Sequence, residues 1–409
     1  MKKLYKNLMG IIGDNFDFVD NVTIVVKDEV IYDILTRPLK KLHGTNVTNC
    51  NNMLAIPAFV NAHTHVADYG IKDLPIGLPT EQAVSPPHSV KYQYLQMTSQ
   101  EELRDTIRNA VLEMISNGIT AFADFREGGR DGCKLLSEVV RELPIEVKIL
   151  GEFEGGQGVS CATLEYFVEE VEEICLIADG IGLGDITELT DEQLRTIRDV
   201  LFKQNALLAV HIAETPQAQS LSKRTWGISE VARIVRFEPD LLIHMTNADE
   251  EDIHLLQDKE IPVVCCPRAN AVLGDGIPPL AALWEAGTPL ALGTDNIMLS
   301  SPDMFREMDF FARLVRGQSR KPDIISSKDV LKIATIGGAK ALRLDGEYGS
   351  LVVGKKASFI LLNLNSPNLR PTKNVYSCIV HRACLSDVAL VVINGKEIIR
   401  NQKGVYVRY

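Results

Sequence analysis

The chain has 409 residues, more than one ordinary compact core needs, and suits one large barrel with a smaller domain beside it. Its formal net charge of −11 argues against a general nucleic-acid or anionic-membrane surface, since both require a basic face. No apolar run reaches the roughly 18–20 residues of a membrane span.

The N-terminal residues carry positive charge but no apolar core follows them, so no signal peptide is expected. Eight cysteines are spread along the chain without a CxxC pair. That usage fits a reducing cytoplasm, with the thiols as small buried apolar groups and the adjacent Cys265 and Cys266 packed on a buried strand.

Residues 1–56 read as short strands and turns, for example Val22–Val26 and Val30–Ile34 around a Lys27-Asp28-Glu29 turn. The stretch 347–409 has the same texture: Ser350–Gly354, Ser358–Leu362 and Leu390–Ile393, then an Asn394-Gly395 turn and Lys396–Ile399. The simplest organisation is a small β-sandwich domain built from 1–56 and 347–409, with a central domain over 57–346.

The central part alternates apolar strands with helices, which predicts a parallel sheet. Strands are expected near 54–62, 119–125, 145–151, 180–185, 207–212, 241–245, 262–266 and 289–294. Ser99 with Glu102 and Thr190 with Gln193 read as capping boxes, and Gly118 closes the first long helix. Eight such units predict a (β/α)8 TIM barrel. The proline-rich segment 68–97 is a long insertion after the first strand, where active-site covers are common.

His63 and His65 flank Thr64, so in a strand both imidazoles face one side. His211 ends one later strand, His244 ends the next, and Asp295 follows the eighth. All five fall on one mouth of a barrel, where barrel enzymes keep their catalytic groups. Strands one and eight are neighbours at the closure, which lets Asp295 reach a metal held by the histidines. Unrelated core or surface histidines are the bland alternative, and five ligand-type residues at strand ends weigh against it. His43, His254 and His381 read as unrelated to the site.

The runs Phe59–His65, His211-Ile-Ala-Glu214, Cys266–Asn270 and Gly293–Asn296, with the strand-end His244, resemble the amidohydrolase superfamily. More narrowly, the chain resembles the branch of cytosine, guanine and S-adenosylhomocysteine deaminases and triazine chlorohydrolases. Gly349–Ala357 and Val391–Lys396 resemble that branch's β-sandwich, so the likeness covers almost the whole chain.

The resemblance implies one divalent metal on His63, His65, His211 and Asp295, zinc first; iron, manganese, cobalt and nickel also suit such ligands. Such a metal lowers the pKa of a bound water towards about 7. It further implies Glu214 as the proton shuttle of a deamination, with Asp295 accepting the water's proton and His244 holding the attacking water or the oxyanion. A small-molecule substrate follows, and pairing into a homodimer is common among such barrels. Arg126, Arg268, Asn270 and His88 are candidate substrate contacts. Related two-metal enzymes bridge their ions with a lysine on strand four, and Gly180–Asp185 has none, which predicts one ion.

Three departures stand out. Ala58 replaces a usual Gly, and Ala357-Ser358 replaces Ala-Asp. Asp185–Thr190 replaces the His and Pro-rich turn that follows strand four in nucleoside-type deaminases, so no substrate is carried over. Hydrolysis of a C–Cl or cyclic amide bond is the alternative reaction. A non-catalytic metal-binding protein of the same fold is the remote one.

Overall fold

The computed structural model describes residues 2–36, 46–153, 162–401 and 404–408. His43 lies outside them. Eight parallel strands lie side by side in chain order: Phe59–His65, Ile119–Arg126, Glu146–Gly151, Gly180–Leu183, Leu207–Ile212, Leu241–His244, Val263–Cys265 and Leu290–Leu292. The two-residue strand Asp295–Asn296 continues from the eighth and pairs with Thr64 and His65 of the first, closing the ring. The strand count places Gly180–Leu183 fourth, without a lysine, while Lys148 on strand three is tied to Asp179 at 2.8 Å.

Helices cover the outside. Thr190 and Gln193 form the reciprocal capping box expected of them. At Ser99 only half of it forms: its side chain accepts from the Glu102 amide at 3.3 Å. Gly118, at φ 83°, carries the chain out of that helix and into strand two.

Small side chains fill the barrel interior, among them Val60, Ala62, Ala121, Ala123, Ala209 and Ala291. Their small volume leaves room for the larger groups above them. The first predicted strand is in fact two. Met53–Pro57 belongs to the other sheet, and the barrel strand starts at Phe59, because Ala58 is where the chain crosses from one sheet to the other.

Among the described residues that other sheet has nine strands, drawn from both ends of the chain, and Met53–Pro57 sits centrally, parallel to Lys2–Ile12 and antiparallel to Phe359–Asn363. Phe359, Leu361 and Val392 face one core with Tyr5, Leu8 and Ile24, while Ile360, Leu362, Val391 and Ile393 join the core shared with the barrel. Alternate residues of these strands thus bury on opposite faces, as a strand's period of two requires. The Asn394-Gly395 turn forms with both residues at positive φ, 50° and 74°. The strand expected at Ser350–Gly354 does not form. Leu351 turns into the sheet's core and Gly354 adopts φ 96°, which a regular strand cannot hold.

Gly293 sets how closely strand eight approaches strand one. A Cβ there would lie 2.7 Å from the His63 Cβ and 3.0 Å from the His63 amide nitrogen. Gly293→Ala therefore overpacks the closure and should cost about 1–3 kcal/mol. Thermal denaturation checks this, and an unchanged melting temperature contradicts it.

Candidate metal centre and cavity

Four imidazoles and one carboxylate meet at the C-terminal mouth of the barrel. How each arrives there depends on local backbone devices. In strand one, the pairing jumps from Asn61 opposite Phe122 to Thr64 opposite Asp124, so one extra residue bulges out. Val60 and Ala62 face the barrel interior below the bulge, and His63 and His65 face it above. His211 follows Leu207 and Ala209 on the inward side without any irregularity. His244 follows the inward Ile243 and would point outward, but its φ of 79° turns it into the mouth. Ala213 (φ 49°) and Asp295 (φ 59°) make similar turns. Non-glycine residues in this region cost about 1–3 kcal/mol each and concentrate at functional sites.

His63 meets the other three rings edge to face, while His65 stacks on His211. His63 lies 5.0 Å from His65, 4.8 Å from His211 and 5.6 Å from His244, centroid to centroid. Phe125 supports His63 and His211 from below, at 4.6 Å from each. Gly182 leaves space for that phenyl ring, since a Cβ there would lie 2.4 Å from it. Asp295 Oδ1 is 3.2 Å from His63 Nε2 and 3.7 Å from His65 Nε2.

Burial lowers the pKa of His63, His65, His211 and His244, so the imidazoles are neutral and keep lone pairs. Burial works against the Asp295 carboxylate, but the His63 hydrogen bond holds its pKa well below the usual range. His211 Nδ1 donates to the Leu183 carbonyl at 3.0 Å, which leaves Nε2 bare. The Asn270 amide lies 3.1 Å from His244 Nδ1. With that amide donating, the His244 proton sits on Nε2, which faces Glu214 Oε1 at 3.6 Å.

The donor set fits a cation. The donor atoms of His63, His65 and His211 lie within 4.8 Å of one another, as do those of His63, His244 and Asp295. Asp295 Oδ2 and His244 Nε2 are buried without a hydrogen-bond partner. Each such orphan costs about 1–3 kcal/mol unless an ion, water or substrate satisfies it. His65, Glu127 and Glu152 form a third close set, but the Lys91 ammonium and Arg126 already balance Glu127.

Beside these groups lies a cavity of about 180 Å³, bordered by His65, His211, Glu214 and Asp295. The insertion after strand one supplies one wall through Thr80, Val84, Ser85, Pro86, Lys91 and Tyr92. Glu214 borders the cavity because the chain turns at Ala213 before Thr215 caps the helix Pro216–Trp226. Glu230 fixes that turn, accepting from the Ala213 amide at 3.0 Å. Burial pushes the Glu214 carboxyl well above its ordinary pKa, and nearby Asp295 pushes the same way.

The four candidate substrate contacts fall in different places. Asn270 is buried against His244. Arg126 is buried but does not border the cavity: it is one residue out of step with the inward Ala123 and Phe125, and its Nη1 lies 3.1 Å from Glu127 Oε2. Arg268 is spent on the buried Glu307 at 3.2 Å. His88 is exposed, and its carbonyl accepts from Gln93; Ser85 and Pro86 of the same loop border the cavity instead. Glu152 and Asp185 do border it. Lys91 and Tyr92 were not anticipated from the sequence. Their only signal was a Ser89 cap opening a short helix inside the proline-rich insertion.

Three comparisons with known proteins bear on this geometry. Residues 54–398 match the model of the amidohydrolase family, and the chain belongs to that family. It is a hydrolase that acts on carbon–nitrogen bonds. A putative aminohydrolase of Methanothermobacter thermautotrophicus is 32% identical over 91% of this chain and 93% of its own length. The 5-methylthioadenosine/S-adenosylhomocysteine deaminase of Moorella thermoacetica is 30% identical over 86% of this chain and 82% of its own. Among solved structures, a zinc-bound adenosine deaminase from Xanthomonas campestris superposes with a TM-score of 0.84 at 22% identity, covering 97% of this chain and 92% of that one. The atrazine chlorohydrolase of Arthrobacter aurescens, complexed with zinc, gives 0.83 at 16% identity over 98% and 95%. These two likenesses show the shared fold.

The Glu230 carboxyl has its pKa raised to about 8, chiefly by burial and next by Asp185. An acid whose pKa is higher folded than unfolded supports the fold below its unfolded value, and that support fades as pH rises through the folded value. Melting temperature should therefore fall from pH 5 to pH 8.5 more steeply in the wild type than in Glu230→Gln. Parallel profiles contradict this.

Proposed function

We propose that the chain catalyses hydrolytic deamination of a small amino-heterocycle at one divalent ion, with zinc as the native metal. His63, His65, His211 and Asp295 would hold the ion. When bound, it supplies a Lewis acid that acidifies water near neutral pH.

The observation that carries the reading is that Glu214 borders the cavity beside the ligand cluster, with its Oε1 3.6 Å from Nε2 of the buried His244. Burial raises the Glu214 carboxyl well above its ordinary pKa, which makes it a better proton acceptor than a solvated carboxylate, as a group that both takes and returns a proton needs to be. Ammonia leaves a tetrahedral carbon only once protonated, so deamination needs such a group beside the bond that breaks. The water gives up two protons, which Glu214 and Asp295 accept: one passes through Glu214 to the ring nitrogen as the C–O bond forms, and the second goes to the amine, which leaves as ammonia when the C–N bond breaks and the carbonyl forms. His244 Nε2, buried without a hydrogen-bond partner, is free to donate to an oxygen that develops charge on the attacked carbon. Asn270 keeps that hydrogen on Nε2 by occupying Nδ1.

The deaminase names of the curated relatives support an amino-purine as the first substrate class to examine. The chlorohydrolase likeness keeps displacement of chloride from a triazine as the second reading. We also infer that 1–56 and 347–409 form a β-sandwich domain around the barrel domain 57–346. The support is the separate core on the outer face of the nine-stranded sheet.

Ammonia and chloride release are measured across adenosine, 5-methylthioadenosine, S-adenosylhomocysteine, guanine and a chlorotriazine. Ammonia from an amino-heterocycle is the expected result, and chloride alone supports the second reading. On the active substrate, Glu214→Gln should lower kcat by about 10²–10⁴-fold and leave the metal content intact. Unchanged turnover removes Glu214 from the mechanism. Elemental analysis of protein purified without added metal should find zinc, and a predominance of iron rejects that choice.

A further inference from the structure

Behind His65, the insertion brings one cation into contact with the ligand cluster. Lys91 opens the helix Val90–Met97, capped by Ser89, and is 3% exposed. Its Nζ lies 2.5 Å from Glu127 Oε1 and 3.0 Å from His65 Nδ1. Glu127 Oε1 is itself 2.9 Å from His65 Nδ1.

His65 Nδ1 therefore has two neighbours that ask for opposite tautomers. With a proton on Nδ1, the ring donates to Glu127 and Nε2 is bare. Without one, Nδ1 accepts from Lys91 and the proton moves to Nε2, the nitrogen that faces Asp295. A ligand nitrogen must carry a lone pair, so only the first tautomer can hold an ion.

The geometry decides between them. Lys91 lies closer to the carboxylate oxygen than to the ring, and an ammonium–carboxylate hydrogen bond is stronger than one from ammonium to a neutral nitrogen. Lys91 thus donates first to Glu127 and fixes its Oε1, an acceptor, 2.9 Å from Nδ1, which keeps its own proton to donate there. It also offsets the cost of burying the Glu127 charge, which would otherwise be severe. Arg126 supplies the other half of that balance from the opposite oxygen.

Resting on the reading of His65 as a ligand, we propose that Lys91 is a positioning residue for the metal centre. It holds Glu127 Oε1 aimed at His65 Nδ1, so that His65 presents a bare Nε2. The insertion that walls the cavity is thereby tied to the metal, and the one side chain does both.

The test is zinc affinity, measured by chelator competition with folded protein. Lys91→Met should weaken binding about 10–100-fold, and Lys91→Arg, which retains the cation, should recover most of the loss. Glu127→Gln should weaken binding to a similar extent. The double variant Lys91→Met with Glu127→Gln should be no weaker than Glu127→Gln alone, because Lys91 acts through Glu127. That comparison stands even where Lys91→Met by itself leaves Glu127 unpaired and unfolds the chain. Wild-type affinity in Lys91→Met, or losses that add in the double variant, overturns the role of Lys91. A wild-type chain that binds no zinc overturns the ligand assignment beneath it.

Discussion

Four imidazoles and a carboxylate are buried at one point, and the rest of the molecule answers to that constraint. Burial keeps the imidazoles neutral, which is the state a metal ligand needs, but it strips them of water. Orphaned atoms at Asp295 and His244 remain. A cluster of this kind is unfavourable by itself and becomes favourable when a cation supplies the missing partner. His63 Nε2 and Asp295 Oδ1 lie 3.2 Å apart, close enough for both to hold one ion.

The scaffold meets this demand with irregular backbone on a regular barrel. A bulge in strand one turns His63 and His65 inward. Positive φ angles at Ala213, His244 and Asp295 redirect the chain at three other strand ends. Glycines at 182 and 293 allow the close approach of Phe125 and of strand one. The small interior side chains below supply rigidity without filling the mouth. Outside, the nine-stranded sheet shares a core with the barrel and so braces strand one, whose preceding residues belong to that sheet.

Most of this architecture was legible in the sequence because strand ends carry their own punctuation. His211, His244 and Asp295 close apolar runs at strand–helix spacing, and seven of the eight barrel strands lie where those runs predict; the first starts five residues later, at Phe59, because Met53–Pro57 belongs to the other sheet. Local backbone detail was not legible. Alternation alone cannot show a bulge between Asn61 and Thr64, and it cannot show that His244 reverses its direction. The arginines at strand ends were misleading for the same reason: Arg126 is one residue out of step with the inward set, and Arg268 neutralises a carboxylate of a distant helix. Lys91 and Tyr92 lay hidden because a wall contributed by an irregular insertion has no periodicity to reveal it.

X-ray absorption at the metal edge of the zinc-loaded protein tests the central claim most directly. Cys266 provides a sharp contrast, since its sulfur is part of the same crowded interior beside Gly293 and His63. The account predicts a coordination shell of nitrogen and oxygen only, with imidazole scattering and distances near ~2.0–2.2 Å. A sulfur shell near ~2.3 Å, or a spectrum without imidazole scattering, would contradict it.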